Sequence, residues 1–265
     1  MKLNGIALVA SAFFATASTA ESLKMAVTTS FYNSGLSEIL LPQIKADIDL
    51  DVELIVVGTG QALRLGESGD VDAILVHARA AEEQFLAAGF GTHRREIMYN
   101  DFVFIGPKHD PAHVTEAGSA VDALQSIAAA SAPFVSRGDD SGTNKKELGL
   151  WAEARLTPEG AWYRAAGSGM GATLNTASGM NAYVFSDRAS WLNFGNKGDL
   201  TLLFAGDPAL FNQYAYIPIN PERWPHVQND LALQLEEWLA SETAADLINS
   251  YTINDEHLFT FNAKP

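Results

Sequence analysis

Four short segments of the sequence concentrate serine, threonine and glycine residues. They are residues 28–30 (TTS), 58–60 (GTG), 136–143 (SRGDDSGT) and 169–173 (GMGAT). Each of them leads into a run with helical spacing. The N–H groups in the first turn of a helix have no partner within the helix and lie at the positive end of its dipole. Hydroxyls add further donors, so the four segments are typical of sites that bind a compact oxyanion.

Arg137 is the only arginine or lysine within these four segments. Its planar guanidinium offers a fixed positive charge and a fork of donors that suits an oxyanion. We therefore predict that Arg137 is the main formal positive charge at the bound anion. The alternative is a surface ion pair with Asp139 or Asp140, which would contribute little.

A single serine or threonine before a helix usually does no more than cap that helix. Binding is favoured here because the same arrangement recurs in both halves of the chain. If the helix N-termini face one cleft, their donors can surround a tetrahedral anion.

Composition excludes several classes of partner and chemistry. The chain has 265 residues, a hydrophobic fraction of 47% and a net charge of -15, which argues against nucleic acid because phosphate backbones require a basic surface. A neutral pocket of amides and hydroxyls can still bind a small anion in an acidic protein. The sequence contains no cysteine, so disulfides, thiolate metal sites and cysteine nucleophiles are excluded.

Residues 1–20 have the pattern of an exported protein's signal peptide. Lys2 precedes an apolar stretch at 6–15, and the small residues at 18–20 form a cleavage site. The apolar stretch is too short to span a membrane. We expect the mature chain to begin at Glu21 and, since no cysteine is available for a lipid anchor, to diffuse freely in the periplasm.

Strands and helices alternate along the mature chain. Apolar runs predict strands at 23–27, 51–58, 71–76, 101–106, 133–136, 182–185, 200–204 and 213–220. This β-α-β rhythm predicts α/β units with a mostly parallel sheet, in which ligands bind at the carboxyl ends of strands.

Several helices are predicted from spacing and capping residues. The first carries Leu36, Ile39, Leu40 and Ile44 on one face, with Thr29 or Ser30 as its N-cap. Residues 159–167 (EGAWYRAAG) are also predicted to be helical, and residues 227–251 form a long amphipathic helical region.

At this level of detail the chain resembles the tungstate-binding solute receptors of ABC importers, which have the type 2 periplasmic binding-protein fold. The matching segments cover most of the mature chain in order: VTTSFYNSGL (27–36), VGTGQAL (57–63), GDVDAILVHARAAEEQFLAAGFG (69–91), YNDFVFIGP (99–107), SRGDDSGTNKKELGLW (136–151), GMGATLNTAS (169–178), AYVFSDRASWL (182–192) and NQYAYIPINP (212–221). The threonine-serine segment and the serine-arginine-glycine-aspartate segment are the most specific of these.

The resemblance implies two α/β lobes, each a mixed, mostly parallel sheet flanked by helices, with the ligand cleft between them. Lobe 1 would comprise 21–105 and 215–265, and lobe 2 would comprise 106–214. Strands near 104–107 and 213–217 would join the lobes, which would close over tungstate or molybdate by a hinge motion.

The resemblance also implies which residues bind the anion. From lobe 1 they are Thr28, Thr29, Ser30 and Thr59. From lobe 2 they are Ser136, Arg137, Ser141, Gly142 and Thr143, with the Met170 and Gly171 amides. His77, at the end of the third strand, is expected to be a structural histidine rather than a ligand contact. The implied partner is an ABC permease, no cofactor is expected, and we expect a monomer.

Two alternatives remain open on the sequence. A phosphate receptor would use a similar loop but needs a carboxylate to accept the proton of hydrogen phosphate, and Asp139 or Asp140 could serve. An exported hydrolase is disfavoured because the chain has no G-x-S-x-G motif, and His93, His109 and His113 lack the spacing of a zinc site. Selectivity between tungstate and molybdate is also open, because the two ions have nearly the same size and charge.

Overall fold

A computed structural model describes residues 21–264 of the chain. The predicted signal peptide at 1–20 lies outside the described residues. Within the described range, none of the helices is both long enough and apolar enough to cross a membrane.

The strands and helices alternate over most of the chain. The strands are β1 (Glu21–Thr28), β2 (Leu50–Val57), β3 (Ala73–Val76), β4 (Arg95–Pro107), β5 (Phe134–Ser136), β6 (Tyr163–Ala165), β7 (Tyr183–Asp187), β8 (Leu200–Phe204), β9 (Phe211–Pro218), β10 (Thr252–Ile253), β11 (Glu256–His257) and β12 (Thr260–Phe261). The α-helices are α1 (Thr29–Asn33), α2 (Ser37–Ile48), α3 (Thr59–Ser68), α4 (Arg79–Ala87), α5 (Ala120–Ala129), α6 (Gly142–Glu153), α7 (Met170–Met180), α8 (Arg188–Asn193), α9 (Asn229–Leu239) and α10 (Glu242–Ser250).

Ten of the strands form one mixed sheet in the order β2-β1-β3-β9-β4-β7-β5-β6, with β8 and β12 also paired to β4. At one end, β1 pairs in parallel with β2 and β3; at the other end, β5 pairs in parallel with β6 and β7. We call β1, β2 and β3 the first sub-sheet, and β5, β6 and β7 the second sub-sheet. The predicted α/β class, with parallel strands flanked by helices, is confirmed.

Two long strands connect the sub-sheets. Residues 95–101 of β4 pair with β9, whereas residues 102–107 pair with β7 and β8. Strand β9 in turn pairs with β3 through residues 215–218. Strand β9 therefore links β3 to β4, and β4 links β9 to β7, so the two strands together connect the sub-sheets. That the lobes are joined near 104–107 and 213–217 stays a prediction. The lobe boundaries at 105/106 and 214/215 stay a prediction.

The first helical segment differs from its prediction in two respects. The predicted helix is divided into α1 and α2. Thr28, not Thr29 or Ser30, caps α1, since its hydroxyl accepts from the Phe31 amide at 3.3 Å, and α2 follows Leu36 without a side-chain cap. In α2, Leu40 and Ile44 are buried, as is Leu36 just before it, but Ile39 is 40% exposed. At 100° per residue, Ile39 projects well to one side of the face that the other three share.

One further helix prediction is wrong, and the predicted helical region at 227–251 is confirmed but divided in two. Residues 163–165 form strand β6, because Tyr163 pairs with Phe134 in parallel and stacks on its ring at a centroid distance of 5.8 Å. The region 227–251 is divided into α9 and α10, since Ser241 starts a new helix by accepting from the Ala244 amide. Tertiary pairing in the first case and a local cap in the second override the helical pattern.

Candidate anion-binding site

The strands of the first sub-sheet end together at one edge. Thr28 and Val57 are register partners in the parallel pair of β1 and β2, so the segments at 28–30 and 58–60 leave the sheet side by side. Strand β3 is parallel to β1 and ends at Val76, and His77 follows it directly. The fold therefore places two predicted donor segments and His77 at the carboxyl ends of adjacent strands, where α/β proteins bind ligands.

Ser30 is at the centre of a cluster of hydrogen-bonding side chains at this edge. Its Oγ lies 3.0 Å from Oγ1 of Thr28, 3.1 Å from Nε2 of His77 and 3.1 Å from the hydroxyl of Tyr214. Tyr214 belongs to β9 and is fully buried. Burial raises the pKa of Tyr214 to about 12, so its phenol is a neutral donor and acceptor at pH 7.

Burial keeps His77, a member of this cluster, in its neutral form at pH 7. Its ring centroid lies 4.7 Å from that of Tyr214. Burial lowers the pKa of His77 to about 4, although hydrogen bonds, including one with Asn212, oppose the change. One ring nitrogen of a neutral imidazole accepts a hydrogen bond while the other donates.

The second sub-sheet presents the segment that contains Arg137. Strand β5 ends at Ser136, and helix α6 begins at Gly142, with the Ser141 hydroxyl accepting from the Asn144 amide at 3.3 Å. The predicted helix start at Ser141 to Thr143 is thus confirmed. Thr143, in the first turn, is 8% exposed.

The Ser136 hydroxyl is directed inward. It donates to Glu147 Oε2 at 2.6 Å and accepts from Asn144 Nδ2 at 3.2 Å. Glu147 is 1% exposed and also accepts from Trp151 Nε1 and from the Tyr163 hydroxyl. Burial raises the pKa of Glu147 against the effect of these three donors. Ser136 therefore anchors the loop through its side chain, and only its backbone remains for a ligand.

Arg137 forms an ion pair with Asp139. Its Nε lies 3.1 Å from Asp139 Oδ2, and the Ser141 amide donates to Asp139 Oδ1 at 3.2 Å. Burial alone would raise the pKa of Asp139, but hydrogen bonds from Ser141 and Arg137 hold it below its ordinary value. The side chains of Arg137 and Asp139 are only 18% and 19% exposed, so the pair is not the exposed surface pair of the alternative. Asp140, by contrast, is 88% exposed at its side chain.

The segment before α7 lies against the Arg137 loop. The Ser168 amide donates to the Arg137 carbonyl at 3.3 Å. A Cβ on Gly138 would come within 2.6 Å of Ala165 Cβ, and Gly138 has φ +60°, so this close approach requires glycine. Helix α7 has Gly169 as its N-cap and no side-chain cap, and α3 begins in the same way after Gly58. Met170 is 7% exposed and Gly171 is exposed.

The two sub-sheets meet where His77 faces Gly142. A Cβ built on Gly142 would lie 3.2 Å from Cε1 of His77. The imidazole of His77 therefore lies between Gly142 at the N-terminus of α6 and the hydroxyl of Ser30. This contact brings together Thr28, Ser30 and Gly142 from the predicted set. Thr59 lies at the uncapped start of α3, and Arg137 and the start of α7 lie beside one another.

The sequence interpretation did not identify four residues that shape the site. Tyr214 and Glu147 are described above. Asn100 of β4 and Asn212 of β9 are both buried, and Asn212 Nδ2 donates to Asn100 Oδ1 at 2.9 Å. The signal available in the sequence was polar side chains within otherwise apolar strands, in YNDFVF (99–104) and NQYAYIP (212–218). Among residues 21–264, no group of three or more His, Asp or Glu side chains is arranged to hold a metal ion.

Comparisons with known proteins agree with this architecture. The model of the PBP superfamily domain matches residues 15–243. The tungstate-binding protein TupA of Peptoclostridium acidaminophilum is 44% identical over 87% of this chain and 81% of its own length.

The tungstate-binding protein TupA from Desulfovibrio alaskensis G20 is 44% identical, with 92% of this chain and 100% of that chain covered and a TM-score of 0.87. The tungstate ABC transporter structure from Geobacter sulfurreducens is 46% identical, with 87% and 99% covered and a TM-score of 0.78. Identity at this level over nearly the whole fold shows common descent and not only a shared architecture. The chain therefore belongs to the PBP superfamily and, within it, to the family of the tungstate-binding protein TupA.

Proposed function

We propose that this protein is the solute-binding component of an ABC importer and captures tungstate, with molybdate as a second ligand. The anion would bind in the cleft between lobe 1, formed by residues 21–105 and 215–265, and lobe 2, formed by residues 106–214. The observation that carries the proposal is the convergence of donor segments from both sub-sheets at the contact between His77 and Gly142. It receives support from the tungstate-binding names of the relatives at 44–46% identity.

The proposed ligand contacts are hydroxyls, helix N-terminal amides and one guanidinium. Lobe 1 contributes Thr28, Thr29, Ser30 and Thr59; lobe 2 contributes Arg137, Ser141, Gly142, Thr143 and the amides of Met170 and Gly171, with Ser136 through its backbone. Because α3 and α7 begin without a side-chain cap, no capping side chain competes with an anion for the N–H groups at the start of each helix.

A pocket made of donors favours an anion that has no proton of its own. Tungstate and molybdate only accept hydrogen bonds, whereas hydrogen phosphate must also donate one. Asp139 is a carboxylate beside the proposed contacts, and it is already bonded to Arg137 and the Ser141 amide. Hydrogen phosphate would have to compete for it, so we expect tungstate to bind far more tightly than phosphate.

Calorimetric titration of residues 21–265 with tungstate, molybdate, sulfate and phosphate tests the proposal. Arg137→Gln should weaken tungstate binding by ~30- to 1000-fold, or ~2–4 kcal/mol, because a charge-assisted contact is lost. Arg137→Lys should lose less, since it keeps the charge without the fork. Arg164→Gln, at an exposed position of β6, is the matched control and should bind like the wild type.

Equal or tighter binding of phosphate would overturn the assignment and make Asp139 a proton acceptor. Wild-type affinity in Arg137→Gln would limit Arg137 to its ion pair with Asp139.

We further propose that the protein acts in the periplasm as a freely diffusing monomer, without a cofactor or catalytic activity, and delivers the anion to a membrane permease. The relatives are named as binding proteins and as part of an ABC transporter. The export of a mature chain that begins at Glu21 would support this location, and size-exclusion chromatography with light scattering would test the monomer.

A further inference from the structure

We infer that the contact between His77 and Gly142 sets how closely the two lobes can approach, so that His77 is a positioning residue for the closed cleft and position 142 must lack a side chain. This inference rests on the proposed function, because it concerns the closure that captures the anion.

On the side of the first sub-sheet, His77 has little freedom to move. Its Nε2 is 3.1 Å from the Ser30 hydroxyl, and its ring lies against Tyr214 at a centroid distance of 4.7 Å. Tyr214 is fully buried and is itself bonded to Ser30. A displacement of the imidazole would therefore break a hydrogen bond and disturb a packed ring.

On the side of the second sub-sheet, Gly142 is fixed through its helix. It is the first residue of α6, directly after the cap that Ser141 forms with the Asn144 amide. One turn further along, the buried Glu147 binds Ser136 at the end of β5 and Tyr163 in β6. The start of α6 is thus tied to two strands of the second sub-sheet.

A methyl group at position 142 would have to separate the lobes. Its carbon would lie 3.2 Å from Cε1 and 3.8 Å from Nδ1 of His77, and the first of these distances is tighter than ordinary van der Waals contact. Something must give by a few tenths of an ångström. Because the imidazole is held by Ser30 and Tyr214, we expect the separation between the lobes to grow instead. Donors from the two lobes would then no longer reach the same small anion together.

The same substitution is harmless to each lobe alone. Gly142 is not among the residues with positive φ, so alanine meets no backbone strain there. Alanine is also the better helix former. Gly142→Ala should therefore leave the stability of the ligand-free protein unchanged or slightly higher, and it should weaken anion binding. A glycine with a merely structural role would not produce this combination.

A double-mutant cycle tests the inference with tungstate as the probe. The proteins are the wild type, Gly142→Ala, His77→Asn and the double variant, each as residues 21–265. Gly142→Ala should weaken tungstate binding by about tenfold, within the range of coupling seen between residues in contact. In the His77→Asn background the same change should cost less than about twofold, because the shorter side chain leaves room for the methyl group.

The controls separate this inference from the proposed function. Gly149→Ala changes a glycine of the same helix that has no atom within 4 Å of a built Cβ, and it should not affect binding. If His77→Asn does not fold, His77→Gln provides the second background, since its flexible chain can move aside. Failure of the wild type to bind tungstate would refute the proposed function. Wild-type binding together with an unchanged affinity in Gly142→Ala, or an equal loss in both backgrounds, would refute only the role of this contact.

Discussion

Replacing His77 with glutamine should remove part of the protein's sensitivity to acid. Burial lowers the pKa of His77 from 6.5 to about 4 in the folded protein. The unfolded chain therefore binds this proton more readily than the folded one, and the stabilisation that is present above pH 6.5 is lost as the pH falls towards 4. A shift of this size corresponds to ~3 kcal/mol in the free energy of unfolding once both states are fully protonated. Of this contribution, ~2 kcal/mol is lost between pH 7.5 and pH 4.5.

Glutamine tests this sign and magnitude because it cannot titrate but can still hydrogen-bond to Ser30. Urea denaturation of the ligand-free protein at pH 7.5 and 4.5 gives the free energy of unfolding of each variant. The stability of the wild type relative to His77→Gln should fall by ~2 kcal/mol between the two pH values. The pKa values of Asp110 and Asp139 are also lowered in the folded protein, so these carboxylates stabilise it less at low pH. Their effect is the same in both proteins and cancels in the comparison.

His109→Gln is the matched control, since His109 is exposed, and its curve should run parallel to that of the wild type. Parallel curves for the wild type and His77→Gln would refute the reasoning, because they would mean that the imidazole is protonated as easily in the folded protein as in the unfolded chain. A wild type that gains relative stability on acidification would show that the contacts of His77 stabilise its charged form.

Two further predictions concern the second sub-sheet. Burial raises the pKa of Glu147 above its ordinary 4.5. The stability of the wild type relative to Glu147→Gln should therefore fall as the pH rises through that raised pKa, which is opposite in sign to the effect of His77. Urea denaturation from pH 4 upward measures this difference, and a relative stability that rises with pH would contradict the prediction. Thr143→Val should weaken tungstate binding by only ~1 kcal/mol, or about fivefold, the magnitude of one neutral hydrogen bond, as judged by calorimetry; no loss would remove the Thr143 hydroxyl from the ligand contacts.

The features that the sequence predicted well are local ones. The helix that begins after Ser141 follows from a capping residue and the spacing behind it, and the strand at 133–136 follows from a short apolar run. The donor segments depend only on small residues between a strand and a helix. The superfamily could also be recognised, because these segments occur in a characteristic order.

The features that the sequence did not predict depend on distant parts of the chain. Tyr214 meets Ser30 across 184 positions, and no periodicity in either segment indicates that contact. Residues 163–165 became a strand because β5 offers a pairing partner, although the local pattern is helical. Ser136 was predicted to bind the ligand, but its hydroxyl instead donates to Glu147 in the neighbouring helix.

The sequence by itself therefore determined which hydrogen-bond donors stand before the helices, because hydroxyls, glycines and one arginine in these segments are local properties of the chain. Only the tertiary structure decided which of these groups meet, and it did so through β4 and β9, the strands that connect the sub-sheets. They bring His77 against Gly142 and set Ser30 beside Tyr214. The physical reason is that contact between remote residues depends on how whole elements pack, which is a property of the complete core and not of any one segment.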